Sequence, residues 1–323
     1  MFERLDTMLA ALDEHLMFKD GDGRVVIRAA LLTTVYVLDP YKREVREAFA
    51  SCCEDYFAHC GQHLRWAMDP EPGYMERFGS SKGSRPGAWL PDLGEENEFN
   101  LLYHGAEDER GASPFFLEAL GDQRRPFEQL GYLRLAFPMF WFVEHSGSLV
   151  DVLLQLCRKL KPVNGYGGFG IIESHDRSIS QRYAPKVYQL AQRFPGLEVD
   201  YPTGHSLWQL EGGGGIKGVN WLTVVGDRWL ARLGGADAVQ AALASLDTRF
   251  VLHRFEGGII IQAGQRPEMG DAERNVWPAL YVKLAKYLKP IRITEHRPFQ
   301  QGGAGLRFDK ERSEAWLRRF DDR

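Results

Sequence analysis

Gly212-Gly-Gly-Gly-Ile-Lys-Gly-Val-Asn-Trp-Leu-Thr-Val-Val-Gly-Asp-Arg-Trp-Leu-Ala-Arg-Leu-Gly-Gly235 is the stretch on which the reading of this chain turns. It predicts a flexible glycine run, a short apolar strand over Val219–Val225, a turn at Gly226-Asp227, then a helix. Asp227 is expected to cap that helix, because a carboxylate there can accept the free amide hydrogens of the first turn. Gly234 or Gly235 is expected to close it in the left-handed conformation. No residue of the tract is an obvious nucleophile, base or metal ligand. A distinctive piece of architecture without chemistry points to binding rather than catalysis.

Working outward, strands and helices mix without strict alternation. Phe2, Leu5, Leu9, Leu12 and Leu16 repeat at helical spacing and predict a helix over Phe2–Phe18. Asp20-Gly-Asp-Gly23 reads as a turn, followed by a long strand over Val25–Leu38. Asp39-Pro40 supplies a capping residue and a proline at the first helical position. The helix it starts carries Val45, Phe49, Cys52, Tyr56, Cys60 and His63 on one face and ends near Asp69-Pro70. Glycine and proline mark residues 71–95 as loop. Strands are expected at Glu98–Tyr103, Leu130–Phe142 and near 168–173, and helices at 147–161, 178–193, Asp237–Ser245, 271–289 and 310–320. Thr248–Phe255 and Gly258–Ala263 read as a hairpin around Glu256-Gly257. The pattern predicts an α+β fold, a mixed and largely antiparallel sheet with helices packed on its faces. It is read as a single α+β domain over 1–323, with a two-lobed division at 1–124 and 125–323 as the alternative.

A second tract runs Leu133-Arg-Leu-Ala-Phe-Pro-Met-Phe-Trp141, then a helix from Gly147 to Leu160, then Gly165-Tyr-Gly-Gly-Phe-Gly-Ile-Ile172. With the opening tract, this order of strand, helix and glycine-rich strand resembles the type VI secretion immunity proteins that neutralise VRR-type and related restriction-endonuclease-fold nuclease toxins. The resemblance extends from about Arg24 to the helix near Trp277. It implies a non-catalytic protein whose partner is a cognate nuclease toxin, with no cofactor, no metal, no direct contact with nucleic acid and no membrane. It supplies no contact residues position by position.

Bulk properties agree with that class. The chain has 323 residues, 44% hydrophobic and 26% charged, long enough for a large core. A formal charge of -4 argues against a DNA-coating protein, which would be basic, and against a DNA mimic, which would be far more acidic. Cys52 and Cys53 are adjacent in a predicted helix and point to different sides of it. With Cys60 and Cys157 they read as reduced thiols rather than a disulfide framework, which suits the cytosol. The N-terminus has acids where a secretion signal needs bases, and no run approaches the roughly 20 apolar residues of a membrane span. The expected location is cytoplasmic.

The motifs that spell out chemistry fail on context. His59 and His63 have the spacing of two ligands on one helix face, but the metalloprotease pattern needs a Glu where this chain has Cys60. Gly79-Ser-Ser81-Lys-Gly83 spells a nucleophile elbow but lies in proline- and glycine-rich loop, not between a strand and a helix. Gly165-x-Gly167-Gly168-x-Gly170 precedes a strand, whereas a dinucleotide loop follows one. Gly-Ile-Lys-Gly at 215–218 lacks the Ser/Thr of a phosphate loop. Glycine hinges, bulges or close backbone contacts account for both. Asp20-Gly-Asp22 opens like a calcium loop but has Leu31 at its twelfth position.

One surface feature remains. Asp92, Glu95, Glu96, Glu98, Glu107, Asp108 and Glu109 fall in a window that contains no Lys or Arg. A solvated loop edge would look this way. So would a docking surface for a basic partner such as a nuclease groove, which must be positive to hold phosphates. Trp89 is the candidate anchor, with Leu93, Phe99, Leu101 and Tyr103 as candidates for an apolar centre. The rival classes are a hydrolase or metal-dependent enzyme using His59, His63 or Ser81, and an adaptor of the secretion machinery.

Overall fold

The structure is a computed structural model. It describes residues 15–323 apart from Pro72, Ser81, Gln129, Gly212, Gly213, Gly303 and Ala304, and apart from the side chains of Glu144, Trp208, Gln209, Leu210 and Glu211. Its first half runs β1 (Met17–Lys19), β2 (Val25–Leu38), α1 (Arg43–Cys60), β3 (Trp66–Met68), β4 (Met75–Arg77), β5 (Phe99–His104), β6 (Phe116–Gly121) and β7 (Leu130–Phe137). There follow α2 (Trp141–Glu144), α3 (Leu149–Leu160), β8 (Asn164–Glu173), α4 (Arg177–Arg193), β9 (Glu198–Val199), α5 (Pro202–Glu211), β10 (Leu222–Gly226) and α6 (Asp227–Leu230). Last come α7 (Ala236–Leu246), β11 (Phe250–Phe255), β12 (Gly258–Ala263), α8 (Ala279–Tyr287) and α9 (Lys310–Leu317).

The strand over Val25–Leu38 forms as the sequence predicts and is the centre of the molecule. Its run of Val, Ile, Leu, Ala and Thr suits a strand buried on both faces. β7 pairs with it on one side and β8 on the other, both antiparallel. The sheet has the order β11-β12-β10-β8-β2-β7-β6-β5-β3-β4, with β1 added on β2 and β9 on β8. Every pairing is antiparallel except β8 with β9. The α+β class with a largely antiparallel sheet is therefore the observed one.

Period-2 alternation sends the two sets of side chains to different cores. Val35, Leu133, Leu135 and Phe137 pack with α1, α3, α7 and α8 in the largest cluster. Ala30, Leu32, Tyr36, Tyr132 and Tyr166 belong to a second cluster on the other side. A third cluster joins Ile27, Ala29 and Ile171 to α4 and α9. Cys52, Cys53, Cys60 and Cys157 are free and buried.

Several element boundaries differ from expectation, for identifiable reasons. The strand of the opening tract begins at Leu222, because only Leu222–Gly226 pairs with β12. Its ladder holds Gly226, so Gly226 is the N-cap and Asp227 the first helical residue, with no side-chain capping bond. Gly234 and Gly235 do take positive φ, +88° and +91°. Asp39, at φ +52°, makes a turn rather than a helix cap, and α1 starts only at Arg43. That helix stops at Cys60, since Trp66–Met68 is claimed by pairing with β4 and β5. Residues 71–95 hold β4 and three 3-10 turns. β6, β9 and α5 were not expected. The strand expected over Leu130–Phe142 ends at Phe137, before Pro138, and the helix expected over 271–289 contains Pro278 and begins as a helix only at Ala279. Of the helix expected over Phe2–Phe18, residues 2–14 lie outside the described residues and Met17–Lys19 is a strand.

Candidate functional site

The acidic window is divided by the strand inside it. Asp92–Glu98 precede β5 and Glu107–Glu109 follow it, so the two groups lie about 17–20 Å apart, the length of a six-residue strand. The later group is tied to Arg24, which meets Asp108 at 2.9 Å and Asp20 at 3.1 Å. The earlier group forms one exposed loop in which Glu95, Glu96 and Glu98 face solvent. Arg43 meets Asp92 at 3.0 Å and Arg124 meets Glu95 at 3.0 Å, exposed pairs of small energetic weight. Phe99, Leu101 and Tyr103 alternate into the core on the α1 side and are 0–3% exposed. They therefore cannot form the apolar centre of an interface, and Trp89 is half-buried against the same core.

The loop is held from beneath by Arg46, a residue the sequence did not single out. Its side chain is buried and donates from Nη2 to Asn97 O at 2.7 Å and from Nη1 to Gly94 O at 2.9 Å and to Leu93 O. Three backbone carbonyls across five residues are thus tied to one guanidinium. Burial lowers the Arg46 pKa, and the charges of Glu96 and Glu95 oppose that fall. A charged donor with carbonyl acceptors and acids above it fixes the acidic loop in shape before any partner arrives.

On the opposite face of the sheet lies a second polar site. Tyr166, Thr34, Arg134 and Glu118 stand opposite one another across β8, β2, β7 and β6. Asp200, just past β9, draws the row together. It accepts from Thr34 Oγ1 at 2.6 Å and from the Tyr166 hydroxyl, and it meets Arg134 Nε at 3.2 Å and Lys217 Nζ at 3.5 Å. Lys217, from the opening glycine tract, also reaches Glu198 at 2.8 Å and donates to Val199 O at 2.7 Å. Burial opposes the charge on Asp200, but Lys217, Arg134 and the two hydroxyls outweigh it and hold the carboxyl below its ordinary range. Glu118 takes the Tyr132 hydroxyl at 2.8 Å and faces Arg134 at 3.6 Å, and burial still raises its pKa.

Above this network is a cleft of about 520 Å³ whose lining includes Glu118, Arg134, Asp200 and Glu173. Burial pushes the Glu173 carboxyl up to about 7, against the opposing effects of the Gln300 amide and the Arg134 charge. On the strand β5, Asn100 and Leu102 line the same cleft, so the exposed Glu98 lies two residues from its rim.

The enzyme-like motifs do not assemble. His59 is exposed and its Nδ1 sits 2.8 Å from Asp55 O, while His63 lies beyond α1, stacked on Phe115 at 4.2 Å. Ser81 lies outside the described residues. Asp20 closes its own turn, accepting from the amides of Asp22 and Arg24 at 3.0 and 2.9 Å. The Gly165–Gly170 run lies inside β8, where a Cβ at Gly165 would come within 2.5 Å of Thr34 O. Among the described residues no group of three His, Cys, Asp or Glu is placed to hold a metal ion, and no helix is long and apolar enough to cross a membrane.

Comparison with known proteins gives two positive findings. The model of the family described as TsiV, Type VI immunity for VRR-NUC, matches residues 48–320. No curated protein matches the chain. Among solved structures, the Pseudomonas aeruginosa T6SS protein PA0821 superposes with a TM-score of 0.85 at 23% identity, over 98% of this chain and 90% of that one. At that identity the likeness is one of fold.

Proposed function

This chain belongs to the TsiV family, type VI immunity for VRR-NUC, and from that premise we propose that it acts by binding, as a stoichiometric inhibitor of a cognate VRR-NUC nuclease toxin. Its contact surface is the acidic loop Asp92–Glu98. The observation that carries this reading is the buried Arg46 guanidinium, which locks Leu93, Gly94 and Asn97 so that Glu95, Glu96 and Glu98 project from a rigid loop. A nuclease groove holds DNA through phosphate contacts and is therefore positive. A preformed acidic loop is steered to such a groove and competes with the phosphates for it. Inhibition of this kind needs no turnover and no cofactor. A toxin that cuts chromosomal DNA must be held near or below nanomolar concentration, about -12 kcal/mol, across an interface of roughly 1,200–2,000 Å².

Replacing Glu95, Glu96 and Glu98 together with Lys tests it. The expected result is slower association with the cognate nuclease, about tenfold or more at low ionic strength, and a weaker dependence of the rate on salt. An association rate unchanged at low salt refutes the assignment of this loop. His63→Ala is expected to leave protection of cells intact.

A further inference from the structure

The cleft on the far face of the sheet contains one acid whose partners do not match its charge. Asp200 is met by Lys217 and Arg134, and Glu118 by Arg134 and the Tyr132 hydroxyl. Glu173 differs. Among the described residues its hydrogen-bond partner is the neutral amide of Gln300, whose Nε2 lies 3.4 Å from both carboxylate oxygens. Those are long bonds, shared by one nitrogen, and they leave most of the acceptor capacity of an ionised carboxylate unused. Glu173 is half-buried in the cleft wall, and a carboxylate withdrawn this far from water is normally paired.

The surroundings say what kind of group would complete it. The cleft measures about 520 Å³, within the range of ligand clefts. Its walls are partly aromatic and aliphatic, with Phe116, Phe299, Ile171 and Leu102 among them, a surface suited to a long side chain's methylene stem. Two parallel N–H donors match the two oxygens of a carboxylate, which is the geometry of guanidinium and not of ammonium.

We propose that this cleft receives an arginine side chain presented by a loop of the nuclease partner, with Glu173 as its bidentate counter-charge. The proposal rests on the functional reading above and extends it. The acidic loop and the cleft are neighbours, since Glu98 lies two residues from Asn100 on the cleft rim. A partner seated on the loop is therefore within reach of the cleft. Ion pairing with a guanidinium exchanges the weak Gln300 contacts for two charge-assisted bonds in a partly apolar cleft, where such bonds are stronger than in open water.

The test uses the full chain and two small probes, Nα-acetylarginine amide and its uncharged isostere Nα-acetylcitrulline amide, titrated by NMR. The arginine probe is expected to shift resonances around Glu173 and to bind about tenfold or more tighter than the citrulline probe. Glu173→Gln, with its unfolding transition retained, is expected to abolish that preference and to weaken binding of the cognate nuclease by about tenfold or more. The Glu95, Glu96 and Glu98 to Lys variant is expected to slow nuclease association while leaving the arginine probe unaffected. Equal binding of the two probes, or nuclease affinity unchanged in Glu173→Gln, overturns the proposal. Failure of the wild-type chain to bind the nuclease at all sinks the functional reading, and the citrulline comparison still reports on the cleft.

Discussion

Arg46 is buried and Glu173 half-buried, and withdrawal from water shifts their pKa values in opposite directions. Burial raises the Glu173 carboxyl to about 7, above the value near 4.3 that it has in an unfolded chain. Below about pH 4 both states hold the proton, so Glu173 has no effect on stability. As pH rises from about 4.5 to about 7 the unfolded chain ionises first, and the native state loses stability through this group. Glu173→Gln is therefore expected to be more stable than wild type by about 1–3 kcal/mol at pH 8, with little difference at pH 4, in urea unfolding at the two pH values. Equal effects at both pH values would contradict the assignment. Arg46 stays charged and repays its burial through three carbonyls. Arg46→Ala strands those acceptors and is expected to destabilise by about 2–4 kcal/mol and to raise hydrogen exchange in residues 93–98. Neither role was legible in the sequence, because Arg46 reads as one more helix-surface charge and its targets lie some 47 residues on. Arg134 was legible. In Leu130-Gly-Tyr-Leu-Arg-Leu-Ala-Phe137 the alternate leucines leave Tyr132 and Arg134 together on the other face.

At the scale of elements, long runs with one strong pattern formed where expected. β2, α3, α4, α7 and the β11–β12 hairpin match their expected spans to within two residues. α3 has Ser148 as its cap, accepting from the Asp151 amide at 3.2 Å. β6 escaped notice because Phe-Leu-Glu-Ala-Leu-Gly contains weak strand formers, and pairing between β5 and β7 decides it. β8 reaches farther back than expected because its glycines let the backbone lie against β2. A Cβ at Gly165 would meet Thr34 O at 2.5 Å and Val35 Cα at 3.0 Å, both backbone atoms of the central strand. Gly165→Ala is expected to destabilise by about 1–3 kcal/mol. Gly21→Ala, which has nothing within 4 Å, is expected to stay within about 0.5 kcal/mol of wild type, and equal losses at the two positions would refute the packing argument.

For the whole molecule, the sheet order bears on the alternative of two lobes. β2 lies between β7 and β8, so a division at residue 124 would part it from both neighbours. We propose that the chain unfolds as one unit. Tryptophan fluorescence and far-ultraviolet circular dichroism are expected to give coincident urea transitions, and separately expressed 1–124 and 125–323 are expected not to fold. Two resolved transitions would favour lobes. The formal charge of -4 is too small to steer a partner from afar, so the direction of approach is set by local charge on the Asp92–Glu98 loop.

The amino-acid order alone determined the fold class, the central strand, the main helices, the resemblance to the immunity family and the presence of an acidic stretch. The fold elements and the acidic stretch follow from local periodicity, composition and the conformational demands of Gly and Pro, all of which act within a few residues; the resemblance rests on the order of strand, helix and glycine-rich strand. The tertiary structure alone decided that Phe99, Leu101 and Tyr103 turn inward and that Arg46 braces the loop. It also brought Glu118, Arg134, Glu173, Asp200 and Lys217, which are scattered along the chain, to one cleft and its floor. Those outcomes depend on strand register and on which buried charges find partners, and both are settled only when distant segments are packed against each other.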